Sequence, residues 1–254
     1  MEFLGRVLAW FADPLNWTGP DGVPIRLLEH VVLAGVPLAA SIAVALPIGL
    51  WIGHTGRGAG IVVNLSNTGR AVPSLAILVI AFMLLSAPLV SLGLRRDVGE
   101  VATGLAMFAL AIPPIVTNAY IGLREVDAEL VEAGRGMGMR ELQLLSRVEL
   151  PIALPVVLAG IRTSAVQVVA TATLGAVVAT GGLGRYIIDG IAQQLDHEVF
   201  AGALLVAVLS IATELAFAAI QRWAISPGLR GAVPPAPREP AQAGRGGGEV
   251  VSAG

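Results

Sequence analysis

Three sets of residues have types and spacings that could do chemistry. The first is an acid followed by small residues, Glu132-Ala133-Gly134, with Gly138 after three intervening positions and Leu150-Pro151 further on. Such a set makes no bonds; on pattern alone it either recognises a partner or belongs to a solvated helical hairpin that merely joins two spans. Glu132 can accept hydrogen bonds from a cationic partner, and Ala133, Gly134 and Gly138 permit close backbone approach. The second set is Thr171, Thr173, Gly175, Thr180, Gly181, Gly182 and Gly184. Small, hydroxyl-bearing positions either let helices pack closely or line a passage for a small polar solute, and the sequence leaves both open. The third is an intramembrane charge, Glu214, with Arg162 expected at a similar level; Glu214 either pairs with Arg162 inside the bundle or snorkels to the interface.

Composition removes other chemistries. All 16 cationic residues are arginine and the chain has no cysteine. Without lysine there is no G-x-x-x-x-G-K-[ST] phosphate loop and no Schiff base, so any nucleoside triphosphate must be hydrolysed by another chain. Without cysteine there is no thiol nucleophile or disulfide framework. His30, His54 and His197 show no metal-ligand spacing, and no G-x-S-x-G occurs. The expectation is a chain that is not an enzyme, with no metal, no cofactor and no nucleic-acid partner.

The elements that must position these residues are membrane spans. The 254 residues are 55% hydrophobic and 13% charged, with a mean hydropathy of +0.79, too apolar for a soluble domain. A span needs about 20 apolar residues. Val31 to Ile52, Ala71 to Leu94 and Val101 to Leu123 are charge-free runs; Ile152 to Thr180 contains Arg162, and Phe200 to Ile220 contains Glu214. The reading is an all-α membrane protein of about five transmembrane helices in a permease domain, residues 28–223. Gly56 to Asn67 is too polar for a confident sixth. Residues 1–27 precede the spans, with Phe3 to Trp17 an amphipathic helix on the membrane surface rather than a cleaved signal peptide. Residues 224–254 form a tail whose prolines and glycines predict disorder from Ala232 to Gly254.

Arginine placement orients the spans. Eleven arginines fall in the loops that hold Arg57, Arg124 to Arg162 and the tail; five fall on the other side. The positive-inside rule then puts the C-terminus and the Arg124 to Pro155 loop in the cytoplasm and the N-terminus outside. That loop is long for a bare connection. Asp127 through Arg135 reads as a helix with acids in its first turn, Gly136 and Gly138 break it, and Arg140 to Leu150 reads as a second helix stopping before Pro151.

Glu132-Ala133-Gly134, three residues, Gly138, nine residues, then Val148-x-Leu150-Pro151 resembles the EAA motif of bacterial ABC-importer permeases, E-A-A-x3-G-x9-I-x-L-P, with Gly134 for the second alanine and Val148 for isoleucine. The resemblance runs from about Leu28 to Arg222. Ala71-Val72-Pro73-Ser74-Leu75-Ala76, Glu149-Leu150-Pro151-Ile152-Ala153-Leu154-Pro155 and Gly181-Gly182-Leu183-Gly184 are similar to permeases for glycine betaine, carnitine and choline. It implies a MetI-like ABC permease fold in the bacterial cell membrane and a cytoplasmic coupling helix at Glu132, Ala133, Gly134, Gly138, Leu150 and Pro151. It also implies ABC ATPase subunits, a second permease copy or paralogue, and an extracytoplasmic substrate-binding protein as partners, within the lipid bilayer. The implied cargo is a small quaternary-amine osmoprotectant. Methionine or another amino acid as cargo, and an ion-coupled secondary transporter, remain alternatives.

Overall fold

A computed structural model describes residues 2–60, 62, 64, 72–95 and 97–224. The tail from Ala232 to Gly254 lies outside these residues, as do Ala71, Arg70, Arg96 and part of the Gly56 to Asn67 stretch.

The first helix, α1, is Glu2–Ala12 and buries Val7 and Trp10. It is shorter than the expected Phe3 to Trp17 helix because a residue before proline is pushed out of the helical region. Asp13, before Pro14, is extended, and its carboxylate accepts the Leu15 amide at 2.9 Å to cap a separate tight turn, Pro14–Trp17. Two edge-to-face ring pairs hold α1 down: Phe3 on Phe200 with centroids 5.5 Å apart, and Trp10 on Tyr186 at 5.3 Å.

Helix α2 is Val23–Thr55. It begins well before Val31, and ahead of the residue-28 boundary, because its two early charges are neutralised together: Arg26 donates to Glu29 at 2.8 Å. Gly56, at φ 68, ends it by returning its amide to the Ile52 carbonyl. Helix α3, Ser74–Ser91, starts after Pro73, which lacks the amide a longer helix would need.

Helix α4, Val98–Arg124, is the centre of the molecule, with α2 on one side and a later helix, α7, on the other. Glycines set both contacts. A β-carbon on Gly49 of α2 would lie 2.7 Å from the Ala119 β-carbon, and one on Gly160 of α7 would lie 2.5 Å from that of Asn118. Backbones that approach this closely gain dispersion contacts that apolar lipid cannot replace.

After α4 come a short helix, α5 (Ala128–Gly136), and a one-turn helix, α6 (Glu141–Leu144). The chain does not stop before Pro151. A π turn over Leu145–Glu149 joins α6 to α7, Leu150–Ala172, and the Leu150 amide reaches the Leu145 carbonyl, five residues back. Proline is tolerated in the first turn of a helix, where its missing amide is not needed, so Leu150-Pro151 is an entry into α7 rather than an exit. The path tightens to a 3-10 turn over Thr173–Val178 and ends at Ala179, φ 64, before Thr180. Helix α8, Gly184–Gln193, follows, then α9, Asp196–Ala224.

Among the described residues five helical segments are long and apolar enough to cross a membrane: α2, α3, α4, the continuous Glu141–Val178 path, and α9. Helices α3 and α9 leave most of their apolar surface uncovered by the chain.

Candidate functional site

The two ends of the bundle each hold a polar construction. At the first, Asp127 caps α5 by accepting the Glu129 amide at 2.9 Å. Gly134 is buried, and a β-carbon there would meet Leu144 Cδ1 at 2.7 Å. It therefore serves the chain's own packing and is not part of an outward small-residue surface. Gly138 sits at φ +81 with open space around it, so its need for glycine is conformational rather than steric. What α5 and α6 present outward is Glu132, Ala133, Leu130, Met137 and Leu142. Helical spacing marks Leu130 and Leu142 as apolar face positions in the sequence, but periodicity does not say whether the chain or a partner covers them.

The same hairpin is braced by charge. Arg135 Nε and a terminal nitrogen donate to the two Glu141 carboxylate oxygens at 3.2 Å each, which holds the Arg135 guanidinium above its ordinary range. His54, in the last turn of α2, has Nδ1 2.6 Å from Glu149 Oε2 and Nε2 3.1 Å from Glu141 Oε2. Glu149 is buried, 5% exposed. His54, Glu149 and Arg135 border a polar cavity of about 220 Å³ together with Arg124, Val131 and Glu132. In the sequence His54 shows only the absence of metal-ligand spacing, and its acidic partner Glu149 lies 95 residues away.

Within the bundle, Arg162 forms an ion pair with Glu214 and also reaches Gln221 Oε1 at 3.4 Å, while Gln221 donates to the Pro155 carbonyl at 3.0 Å.

At the opposite end, most of the seven small residues pack against one another. A β-carbon on Gly175 would crowd Thr180 Oγ1 at 2.5 Å and Thr103 at 2.8 Å, and one on Gly184 would overlap the Thr173 carbonyl. Thr173 donates to its own helix at Ala170, and Thr171 is half-buried. Gly182, at φ +89, donates its amide to Glu29 Oε2 at 2.8 Å and lies against the His30 ring. Behind this turn Glu29, Val32, Val36, Pro37, Glu100 and Gly181 border a cavity of about 500 Å³. Of the seven, Gly181 is the one that lines it. A mostly apolar cavity with two carboxylates suits a small solute bearing a positive charge on an apolar body.

The family described as "Binding-protein-dependent transport system inner membrane component" matches residues 45–226. The chain is 34% identical over 203 residues to the glycine betaine/carnitine/choline transport system permease protein OpuCB of Bacillus subtilis (strain 168), covering 80% of this chain and 88% of that one. It is 33% identical to the choline transport system permease protein OpuBB of the same organism, covering 81% and 89%. It is 33% identical to the osmoprotectant import permease protein OsmW of Salmonella typhimurium, covering 72% and 82%. A solved structure of an inward-facing MetNI methionine ABC transporter shares the fold, with a TM-score of 0.69 at 22% identity over 84% of this chain and 99% of that one. The five apolar segments make this a multi-pass membrane protein, and such a component works with an ATPase, a binding protein and a partner permease. The chain belongs to the family of inner-membrane components of binding-protein-dependent transport systems.

Proposed function

We propose that this chain is the permease subunit of an ABC importer that translocates a small quaternary-amine osmoprotectant, such as glycine betaine, choline or carnitine, driven by ATP hydrolysis on a separate subunit. The observation that carries the reading is identity above 30% over most of the chain to permeases named for these solutes. The absence of lysine supports placing ATP hydrolysis elsewhere. Likeness to a methionine importer is one of fold and assigns no cargo.

In this reading residues 28–223 form the permease domain, the N-terminus is outside, and the α5–α6 hairpin is cytoplasmic. The ATPase docks on Glu132, Ala133, Leu130, Met137 and Leu142, while Gly134, Gly138, Leu150 and Pro151 shape the hairpin behind them. Because Glu141–Val178 is one helical path of 38 residues, displacement of α6 is delivered along α7 to the Gly175–Gly184 turn and the cavity beside it. A second copy or a paralogue completes the passage, since five spans hardly enclose one.

The test is the complex purified with its ATPase and binding protein in lipid vesicles. Hydrolysis and uptake are measured with glycine betaine, choline, carnitine and methionine in turn. Stimulation by one or more of the first three supports the assignment; stimulation by methionine alone overturns it.

A further inference from the structure

We propose that His54 is a positioning residue that ties the end of α2 to the coupling segment, so that α2 and α7 move together when the ATPase engages. This rests on the transport reading above and adds to it a residue outside the motif-bearing loop.

The observations are geometric. His54 is separated from Glu149 by 95 residues in sequence, yet its Nδ1 lies 2.6 Å from Glu149 Oε2. Its Nε2 faces Glu141 Oε2 at 3.1 Å. Glu141 opens α6 and Glu149 is the last residue of the π turn, so one ring spans the segment where α6 becomes α7. Each ring nitrogen faces a different carboxylate, so the one imidazole engages both acids at once. The ring also lies in the last turn of α2, so the contact acts at the end of that helix. The side chains of His54 and Glu149 are 11% and 6% exposed, so water competes weakly for the pair.

The position gives the contact its consequence. Helix α2 carries Glu29 near its far end, and Glu29 holds the Gly182 amide and lines the larger cavity. A displacement at Glu149 therefore has two outlets: along α7 to the Gly175–Gly184 turn, and through His54 along α2 to Glu29. Both meet at the Glu29–Gly182 bond, which closes only if the two helices shift in concert. Without His54 the hairpin can move α7 while α2 lags behind.

Among the described residues, the other charged groups that line the cavity with the ring are Glu132 and Arg135 from α5 and Arg124 from α4. Glu141 is shared with Arg135.

The experiment uses the assembled importer in vesicles with binding protein and ATP, comparing wild type with His54→Ala, His54→Gln, Glu149→Gln and His54→Ala/Glu149→Gln. The expected result is ATPase co-purification and ATP hydrolysis close to wild type, with uptake per ATP hydrolysed reduced about tenfold in each variant. The double variant is no worse than a single one, because both remove the same link. Should His54→Ala fail to assemble, His54→Gln and Glu149→Gln carry the comparison. Hydrolysis and uptake falling in proportion, or single effects that multiply in the double variant, overturn the proposal. A wild-type complex that hydrolyses ATP without accumulating any of the named solutes overturns the transport reading, and this inference with it.

Discussion

The Gly182 amide donates to Glu29 Oε2 at 2.8 Å, joining a turn after α7 to a helix 153 residues earlier in the chain. The carboxylate also accepts from Arg26 at 2.8 Å, so one acid is shared between a backbone amide and a guanidinium. Glu29→Ala leaves the Gly182 amide without its acceptor at the wall of the larger cavity and leaves Arg26 with Asp21 alone. Uptake is expected to fall about tenfold, equivalent to one charge-assisted hydrogen bond of roughly 1.5 kcal/mol, while ATPase binding is unchanged. Glu29→Gln keeps an acceptor for the amide and should lie between the two. Vesicle uptake beside ATPase co-purification checks this.

Gly134 and Gly138 require glycine for different reasons, so they respond differently to the same substitution. The atom nearest a new β-carbon on Gly134 is Leu144 Cδ1, the movable end of a side chain. Gly134→Ala is therefore expected to cost under about 1 kcal/mol and to keep the ATPase bound, whereas Gly134→Leu overpacks the hairpin by about 1–3 kcal/mol and releases it. At Gly138 the left-handed backbone makes even Gly138→Ala cost about 1–2 kcal/mol. Thermal unfolding in detergent and ATPase pull-down separate the two.

Removing one member of the Arg162–Glu214 pair leaves a charge facing apolar neighbours. Both side chains are partly open, 33% and 40% exposed, so the loss from Glu214→Leu is set below that of a fully buried pair, at about 1–3 kcal/mol. Arg162→Leu/Glu214→Leu removes both charges and should recover most of it. A double-mutant cycle on unfolding temperature reads the coupling.

The Tyr186 hydroxyl donates to the Asp21 carbonyl at 2.6 Å, and burial pushes its phenol up to about 12. A group that holds its proton more tightly when folded stabilises the fold fully below its unfolded pKa of about 10 and loses that contribution as pH rises towards 12. Tyr186→Phe is expected to lower stability at neutral pH by about 1 kcal/mol, the net value of a hydrogen bond, and to weaken the alkaline decline. Unfolding temperatures at pH 8 and about pH 11 provide the comparison.

Apolar length made the five spans legible, three of them charge-free and two carrying a single charge, because a bilayer-scale apolar run has few other uses. The acids of Asp127 to Glu132 announced α5 for a similarly local reason. Helix ends were less legible: Arg26 and Glu29 look prohibitive in a span until their mutual pairing is seen. Pro151 reads as a stop when only its missing amide is considered; the π turn that accommodates it depends on where α6 and α7 must both point. Residues such as Gly175 and Gly184 have one composition and two uses, and only the β-carbon overlaps with Thr180 and Thr173 show that close packing is theirs. His54 with Glu149, and Glu29 with Gly182, lie far apart in sequence, and periodicity names a face without naming its partner.

The π turn over Leu145–Glu149 also bears on how the segment tolerates changes of length. Each residue of an α-helix rotates the following ones by about 100°. With no loop between α6 and α7, an insertion or deletion there has no slack to absorb it. Leu144 must face Gly134 at one end, while Ser164 must reach the Ala111 carbonyl and Arg162 must reach Glu214 at the other. A deletion that converted the turn to ordinary helix would misaim one of these ends even if every remaining residue kept its type. The residue count between Leu144 and Leu150 is thus a specification in its own right, independent of which side chains fill it.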